Sequence, residues 1–483
     1  MTYGDVPCVI CPNHSLVGHF APGLPGAIIP AMLTRREMIA GVPGASLATP
    51  PASQRPNFII FLTDDHGFAD LGCQGAADLK TPHLDALAAS GARFTNWYAN
   101  APVCAPSRGA LLTGRYPQRN GVTANGNELA PGEHTIASLL KTAGYATAMT
   151  GKWHLGATPE TCPNAHGFDY FFGFHSGCID YYSHRFYWGE PRIVNYHDLW
   201  RNRTEVFEDG QYMTELITRD ATQWLARQKD HPFFLYVPFN GVHYPMHAPG
   251  KYLERFPGAR DAERHMYAAM LAAVDDSVGA ILDTVRRIGQ LDNTFVFYQA
   301  DNGATREARA GLGGRPATAG SNGVLRGFKF SLFDGGMHVP SVMSWPGRIP
   351  AGQVIHEVAA SMDVLPTICQ AAKVALPQDR SYDGVDVLPL AAARAKSPHE
   401  ALYWSSGTQL AVRRGKWKLV KDGLLADGTE RGRNPLSGDD GIWLSDLETD
   451  PGERRNLRHA EPALADELVT LAQQWLEQVG RRH

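Results

Sequence analysis

Nowhere in the 483 residues do about twenty apolar residues run together, the length a membrane-spanning helix needs. The nearest approach, 21–32, is interrupted by Pro22, Pro25 and Pro30, so the sequence predicts no membrane span. An excess of positive charge is missing too. The 45 Lys and Arg face 49 Asp and Glu, a formal net charge of -4, which leaves no overall footprint for nucleic acid. A polyanionic ligand has to be met by local basic residues instead. Cysteine is scarce, with seven at an odd count: Cys8, Cys11, Cys73, Cys104, Cys162, Cys178 and Cys369. The lone pair Cys8-x-x-Cys11 has no second pair or histidine cluster beside it, which argues against a zinc or redox site. Cys162 and Cys178 are left either to pair in an oxidising compartment or to stay free, semi-buried thiols. Internal repeats are lacking.

What is present is an ordinary globular balance, 43% hydrophobic and 19% charged, in a chain long enough for two domains. Residues 1–54 form an N-terminal extension. Within it, Arg35 and Arg36 precede a small-residue stretch ending at Ala48, an order that resembles a twin-arginine export signal and predicts a periplasmic protein. Met32 then serves as the start as readily as Met1. After Gln54 the texture changes: Asn57 to Thr63 is a continuous apolar run typical of a strand covered on both faces, and it ends in Asp64-Asp65-His66-Gly67. Phe233 to Val237 leads into Asn240 and His243 in the same way, and Thr294 to Tyr298 into Asp301-Asn302-Gly303. Helical patterns at 84–89, 136–143 and 266–288 lie between, so the spacing predicts an α/β sheet with helices on both faces. In such sheets, sites gather at the carboxyl ends of the strands. The aperiodic stretch 303–327 reads as a functional loop. From about residue 396 short strands and a helix over 462–479 predict a smaller α+β subdomain, giving boundaries of 55–395 and 396–483.

Asp64, Asp65, Asp301 and Asn302 are hard oxygen donors at the ends of two strands. Each Asp alone reads as a turn or helix cap, but two such pairs point to a cation, Ca²⁺ ahead of Mg²⁺. The stretch Cys104-Ala105-Pro106-Ser107-Arg108 enters a helical pattern, Pro106 suiting a helix start. Cys104 there is either a thiolate stabilised by the helix terminus or a buried structural residue.

Cys104-x-Pro106-Ser107-Arg108 followed by Leu111-Leu112-Thr113-Gly114-Arg115 resembles the signature of type I sulfatases, of the arylsulfatase and N-acetylgalactosamine-4-sulfatase kind, whose cysteine is oxidised to formylglycine. Four further blocks are similar to that family: Asp64 to Gly67, Gly151-Lys152-Trp153-His154, His243-x-Pro245, and Ala300 to Gly303. A last one, Leu325 to Pro340, carries Lys329 but has Asp334 and His338 where the family often has Glu and Arg. The resemblance implies an alkaline-phosphatase-like fold, a large mixed sheet between helices. It also implies a formylglycine at position 104 that joins Asp64, Asp65, Asp301 and Asn302 around Ca²⁺, and a maturation enzyme that makes it. Arg108, Lys152 and Lys329 are the implied sulfate ligands. His243 is the implied acid for the leaving alcohol, and His154 the base that releases sulfate.

The stretch 173–188 interleaves aromatics with Asp, His and Arg, as a sugar-binding wall does, and nominates His175, Asp180, Tyr181 and His184 as substrate contacts. An aromatic cluster under a loop has the same composition. His66 and His338 read as packing residues. The expected activity is hydrolysis of O-sulfate esters on a sulfated small molecule or carbohydrate. A phosphonate monoester or phosphodiester hydrolase and a non-catalytic sulfoglycan-binding protein are the rivals.

Overall fold

A computed structural model of the chain describes residues 55–187, 194–311 and 315–480. The Arg35-Arg36 segment, the Cys8/Cys11 pair and Trp188 lie outside them. Ten strands form one mixed sheet. From edge to edge they are Gln353–Ile355, Ala92–Phe94, Ser341–Ser344, Thr294–Ala300, Asn57–Thr63, Phe233–Pro238, Ala146–Lys152, Tyr170–Phe174, Trp200–Arg201 and Thr204–Glu205. The five from Thr294–Ala300 to Tyr170–Phe174 are mutually parallel, and Ser341–Ser344 runs against them.

The apolar runs are explained by burial on both faces. Along Asn57–Thr63 the side chains of Phe58, Ile60 and Leu62 enter one core, and Ile59 and Phe61 enter the other. Phe233–Pro238 divides likewise, with Phe234 and Tyr236 against Phe233, Leu235 and Val237. The core that takes Phe58, Ile60 and Leu62 is closed by helices Cys104–Thr113, Ile136–Thr142 and Val364–Ala372, and the core that takes Ile59 and Phe61 by Met213–Leu225 and Ala262–Arg287. Local chemistry starts these helices where the sheet needs them. Thr135 and Ser138 form a reciprocal capping box before Ile136, and the Asp261 carboxylate accepts the Arg264 amide before Ala262.

The predicted C-terminal strands are present as Gln409–Arg414 and Trp417–Lys421, within a four-stranded antiparallel sheet completed by Leu402–Ser406 and Ile442–Asp446. Helix Pro462–Gly480 packs into a third core with this sheet, and Tyr98, Tyr116, Phe333 and Met337 share that core. The disulfide alternative for Cys162 and Cys178 is not realised. Both are free, the Cys178 thiol donating to the Tyr187 carbonyl and the Cys162 thiol to that of Pro159.

One ion pair clamps the seam between the large sheet and the C-terminal strands. Nε2 of His399 lies 2.8 and 3.0 Å from the two carboxylate oxygens of Asp363. The same carboxylate accepts the amides of Ala360 and Val385. Burial opposes the charge on His399, but the Asp363 carboxylate outweighs it and raises the imidazole above its ordinary range. A raised folded-state value means that the clamp stabilises fully below about pH 6.5 and is lost as pH climbs through the raised value. His399→Gln is therefore expected to lower unfolding free energy by about 1.5–3 kcal/mol at pH 6, with the gap to wild type shrinking by pH 9. Denaturant melts at the two pH values check this.

Candidate active site

Strand register brings the candidate residues together. Leu62 pairs with Pro238 and Thr63 with Ala300, so the segments that follow leave the sheet side by side. The Asp64 amide donates to the Gly241 carbonyl (3.0 Å) and the Asp301 amide to that of Thr63 (2.9 Å). Asp65 then turns the chain with φ 56°, a left-handed conformation that Asp tolerates better than most residues. Lys152 ends its own strand. The preceding Gly151 permits this, since a Cβ there would sit 2.0 Å from the Pro238 carbonyl oxygen.

Helix Cys104–Thr113 begins at Cys104 itself, two residues before the proline that suggested its start. Pro106 remains in the first turn, where its missing N–H is harmless. The Cys104 thiol is buried 3.4 Å from Asp64 Oδ1. Burial, then the Asp64 carboxylate, push it well above the usual thiol range. A helix terminus contributes about 1 kcal/mol to an anion, too little to reverse this, so the thiolate reading fails.

Three buried carboxylates and three buried cations interlock around this thiol. Arg108 places Nε and Nη2 at 3.1 and 2.8 Å from Asp301 Oδ2, reaches Asp64 Oδ2 at 3.4 Å, and donates Nη1 to the Lys152 carbonyl at 3.0 Å. Lys152 Nζ bonds Asp64 Oδ2. Lys329 Nζ lies 2.9 Å from Asp65 Oδ1, 3.5 Å from Glu307 Oε2 and 3.4 Å from His243 Nε2. Burial favours the neutral acid at Asp64, but Lys152, His243 and Arg108 hold it well below the carboxylate range. Asp65 is pushed up to about 7 by burial together with Asp64, Asp301 and Glu307, against the pull of Lys329.

His243 Nδ1 lies 2.7 Å from the Tyr244 carbonyl and must donate its proton there, leaving the Nε2 lone pair facing Lys329. Burial keeps this imidazole well below its ordinary range. His154 is half-buried, with φ 59° and its amide donating to the His175 carbonyl (3.0 Å). Gly177 leaves room for it, as a Cβ there would lie 2.7 Å from His154 Nε2.

The donor set fits a hard divalent cation. Atoms of Asp64, Asp65, Cys104 and His243 lie within 4.8 Å of one another. Asn302 donates Nδ2 to Asp65 Oδ1 (2.8 Å), while its buried Oδ1 has no hydrogen-bond partner among the described residues. Asp301 stands slightly apart, Oδ1 accepting the Asp65 amide and Oδ2 taken by Arg108. The three carboxylates and three cations balance, so a bound dication leaves the pocket net positive, suited to an anionic ester.

The four nominated sugar contacts are not brought to this centre as an open wall. Tyr181 is fully buried, and its hydroxyl lies 2.7 Å from the Asn240 carbonyl and 2.9 Å from that of His243. Its hydroxyl thereby holds the His243 turn. His184 is also buried, its Nε2 3.0 Å from the Gln211 carbonyl. His175 lies between Phe171 and Trp200. Asp180 alone stays partly exposed. Its Oδ1 accepts two amides and the Ser183 hydroxyl, and Oδ2 faces His247 at 3.4 Å. His66 and His338 are packing residues as read, on Tyr298 and Asp334 respectively. Glu307, the partner of Lys329 and Arg309, was missed. It sits in an aperiodic loop with no local signal.

Two outcomes are expected. Saturating Ca²⁺ raises the melting temperature and chelator reverses it, by about 2.7 kcal/mol of stability at a hundredfold excess over Kd, and Asp65→Asn abolishes the shift. Tyr181→Phe retains the Ca²⁺ shift but lowers kcat roughly tenfold by loosening the His243 turn. Calorimetric melts and steady-state kinetics read the two.

Comparison with known proteins supplies the family. The model described as Sulfatase matches residues 56–374. N-acetylgalactosamine-6-sulfatase of Sus scrofa is 36% identical over 411 residues, covering 80% of this chain and 76% of that one. Arylsulfatase A of Bos taurus is 33% identical over 465 residues, covering 88% and 87%. Among solved structures, Ps i-CgsB in complex with a k-i-k-neocarrahexaose superposes with a TM-score of 0.77 at 29% identity, covering 88% of this chain and 93% of that one. The site built at the carboxyl ends of these strands is therefore that of a sulfuric ester hydrolase, and the chain belongs to the sulfatase family.

Proposed function

We propose that the protein removes O-sulfate from a sulfated carbohydrate, using a formylglycine made from Cys104 and one Ca²⁺. The observation that carries this is the Cys104 thiol buried against Asp64, beside a set of donors and cations in charge balance. Asp64, Asp65, Asp301 and Asn302 would hold the Ca²⁺, which when bound would supply Lewis-acid polarisation of a sulfate oxygen. An aldehyde made from Cys104 would, once hydrated, supply the nucleophile.

The remaining work belongs to the chain's own side chains. Lys152 and Lys329, on opposite sides of the Asp64–Asp65 pair, bind the sulfate oxygens as compact point charges. Arg108 is spent on Asp301, Asp64 and the Lys152 carbonyl, so it orients Lys152 and the metal ligands. His243, its tautomer held by the Tyr244 carbonyl, directs Nε2 toward Lys329, and this pair moves the proton to the leaving oxygen. His154, kept neutral by burial and by Lys152, has the bare nitrogen a base needs to release sulfate.

Carbohydrate as the substrate class is supported by two of the compared proteins, one named for N-acetylgalactosamine and one holding a neocarrahexaose. Their names point to different sugars, so the class is proposed without a sugar or a position. No helix among the described residues is long and apolar enough to cross a membrane. The twin-arginine-like segment around Arg35 and Arg36 supports export to the periplasm after a maturation enzyme has acted.

Intact-mass spectrometry of protein from its native host tests the modification. The mass should fall by the difference between the H₂S lost and the O gained at Cys104, and an unmodified thiol there refutes the mechanism. Cys104→Ala should lower turnover roughly 10⁶-fold with a melting temperature close to wild type, and Lys329→Ala roughly 10³-fold with a lowered melting temperature, because it leaves the buried Asp65 without its cation. Sulfated mono- and disaccharides assayed beside phosphonate esters read both, and a strong preference for the phosphorus ester overturns the substrate assignment.

A further inference from the structure

A cleft of about 490 Å³ opens directly from Lys329, between the loop 305–311 and the segment 424–433 of the C-terminal region. Lys329 Nζ sits on Asp65, so the cleft adjoins the centre built around Asp64 and Asp65. The walls are basic: Arg306, Arg309, Lys329 and Arg433 line it against one carboxylate, Glu307. That carboxylate is already paired with Lys329 and Arg309. Arg306 stacks its guanidinium 4.3 Å over the Phe328 ring and donates Nη1 to the Ala317 carbonyl, which fixes its position while further N–H groups remain. Arg433 is exposed and makes no ion pair among the described residues. Phe330 and Leu424 add apolar surface, on which a sugar face can rest.

The loop that presents Arg433 is built, not loose. The Ala426 amide donates to the Gly432 carbonyl (2.9 Å). Asp427 Oδ1 accepts the Thr429 amide and hydroxyl, so this acid is turned into its own loop. The Thr429 hydroxyl in turn accepts the Gly432 amide (3.0 Å). The base of the loop is pinned by Gln409, whose Oε1 accepts the amides of both Leu332 and Leu424. Gly428 lies so close to the opposing loop that a Cβ would come within 3.0 Å of the Arg306 carbonyl oxygen. A preformed cationic cleft in a chain of net charge -4 is a local reversal of sign.

We infer that this cleft is a second anion subsite, so that the preferred substrate carries, on the sugar next to the scissile sulfate, another anionic substituent, either a sulfate or a uronate carboxylate. The inference rests on the proposed carbohydrate sulfatase reading and deepens it by naming a polyanionic glycan. Arg433 is the specificity-determining residue, reached by the substituent without contact to the reacting atoms.

The test compares wild type with Arg433→Glu on four sulfate esters. These are an aryl sulfate, a disaccharide with the scissile sulfate and a neutral neighbour, the same with a second sulfate on the neighbour, and the same with a uronic acid neighbour. The variant should raise KM roughly tenfold or more for one or both doubly anionic disaccharides, leaving kcat and the first two substrates unchanged. Which of the two is affected identifies the anion. Equal changes on all four substrates, or none on any, overturn the inference. Equilibrium binding of the same three disaccharides to full-length Cys104→Ala, with and without Arg433→Glu, decides the point independently of turnover. Tighter binding of a doubly anionic disaccharide that the variant abolishes supports the subsite, and equal affinities refute it. Failure of wild type to hydrolyse any of the four esters counts against the sulfatase mechanism instead.

Discussion

Three carboxylates buried together repel one another, and each costs several kcal/mol to take out of water, so nothing like this survives in a core unless cations share the burial. Asp64, Asp65 and Asp301 meet that condition through Lys152, Lys329 and Arg108, arriving from a strand, a late loop and a helix. Much of the architecture follows from holding these groups in register. The parallel pairing of Asn57–Thr63 with Thr294–Ala300 delivers the acids as neighbours, and the helix starting at Cys104 returns Arg108 across both. Because the cations already balance the acids, the folded frame does not depend on a metal to exist. A metal then changes the sign of the pocket, which is the property a sulfate ester requires.

The same economy of contacts explains the division between binding and positioning. Arg108 has its donors committed to protein acceptors, whereas the two lysines, which the proposed mechanism sets on the sulfate oxygens, each keep N–H groups beyond those paired with the acids. Around them, Tyr181 and Gly177 act through backbone geometry, one tethering the carbonyls of Asn240 and His243, the other clearing space for His154.

The central strands and the acids at their ends were legible because a doubly covered parallel strand leaves an unbroken apolar signal that stops where the chain leaves the sheet. Cys104 stood out through a contiguous motif, and the structure places its thiol against Asp64, buried where a helix-terminus argument alone had left it open. Tyr181 and His184 show what composition leaves open: aromatics interleaved with polar groups describe a sugar wall and a buried cluster equally well, and the structure buries both residues. Glu307 was invisible because its importance lies in a contact with Lys329 across an aperiodic loop. The pairing open to Cys162 and Cys178 depended on distance, which composition does not encode.

The buried network beneath the Lys329 block carries a further consequence for how the chain comes into being. Asp334 is bound by Tyr98 and Lys418, Glu453 accepts the Asp334 amide, and Arg413 reaches Tyr98. The final strands thus complete the surroundings of the segment that carries Lys329. During vectorial synthesis Cys104 emerges more than three hundred residues before Lys418. At about 5–20 residues per second, that leaves roughly a quarter of a minute to a minute in which the cysteine is out of the ribosome and its final enclosure cannot yet exist. On the proposed mechanism, the order of residues along the chain acts as a clock, giving an interval in which Cys104 is reachable before the finished fold buries it.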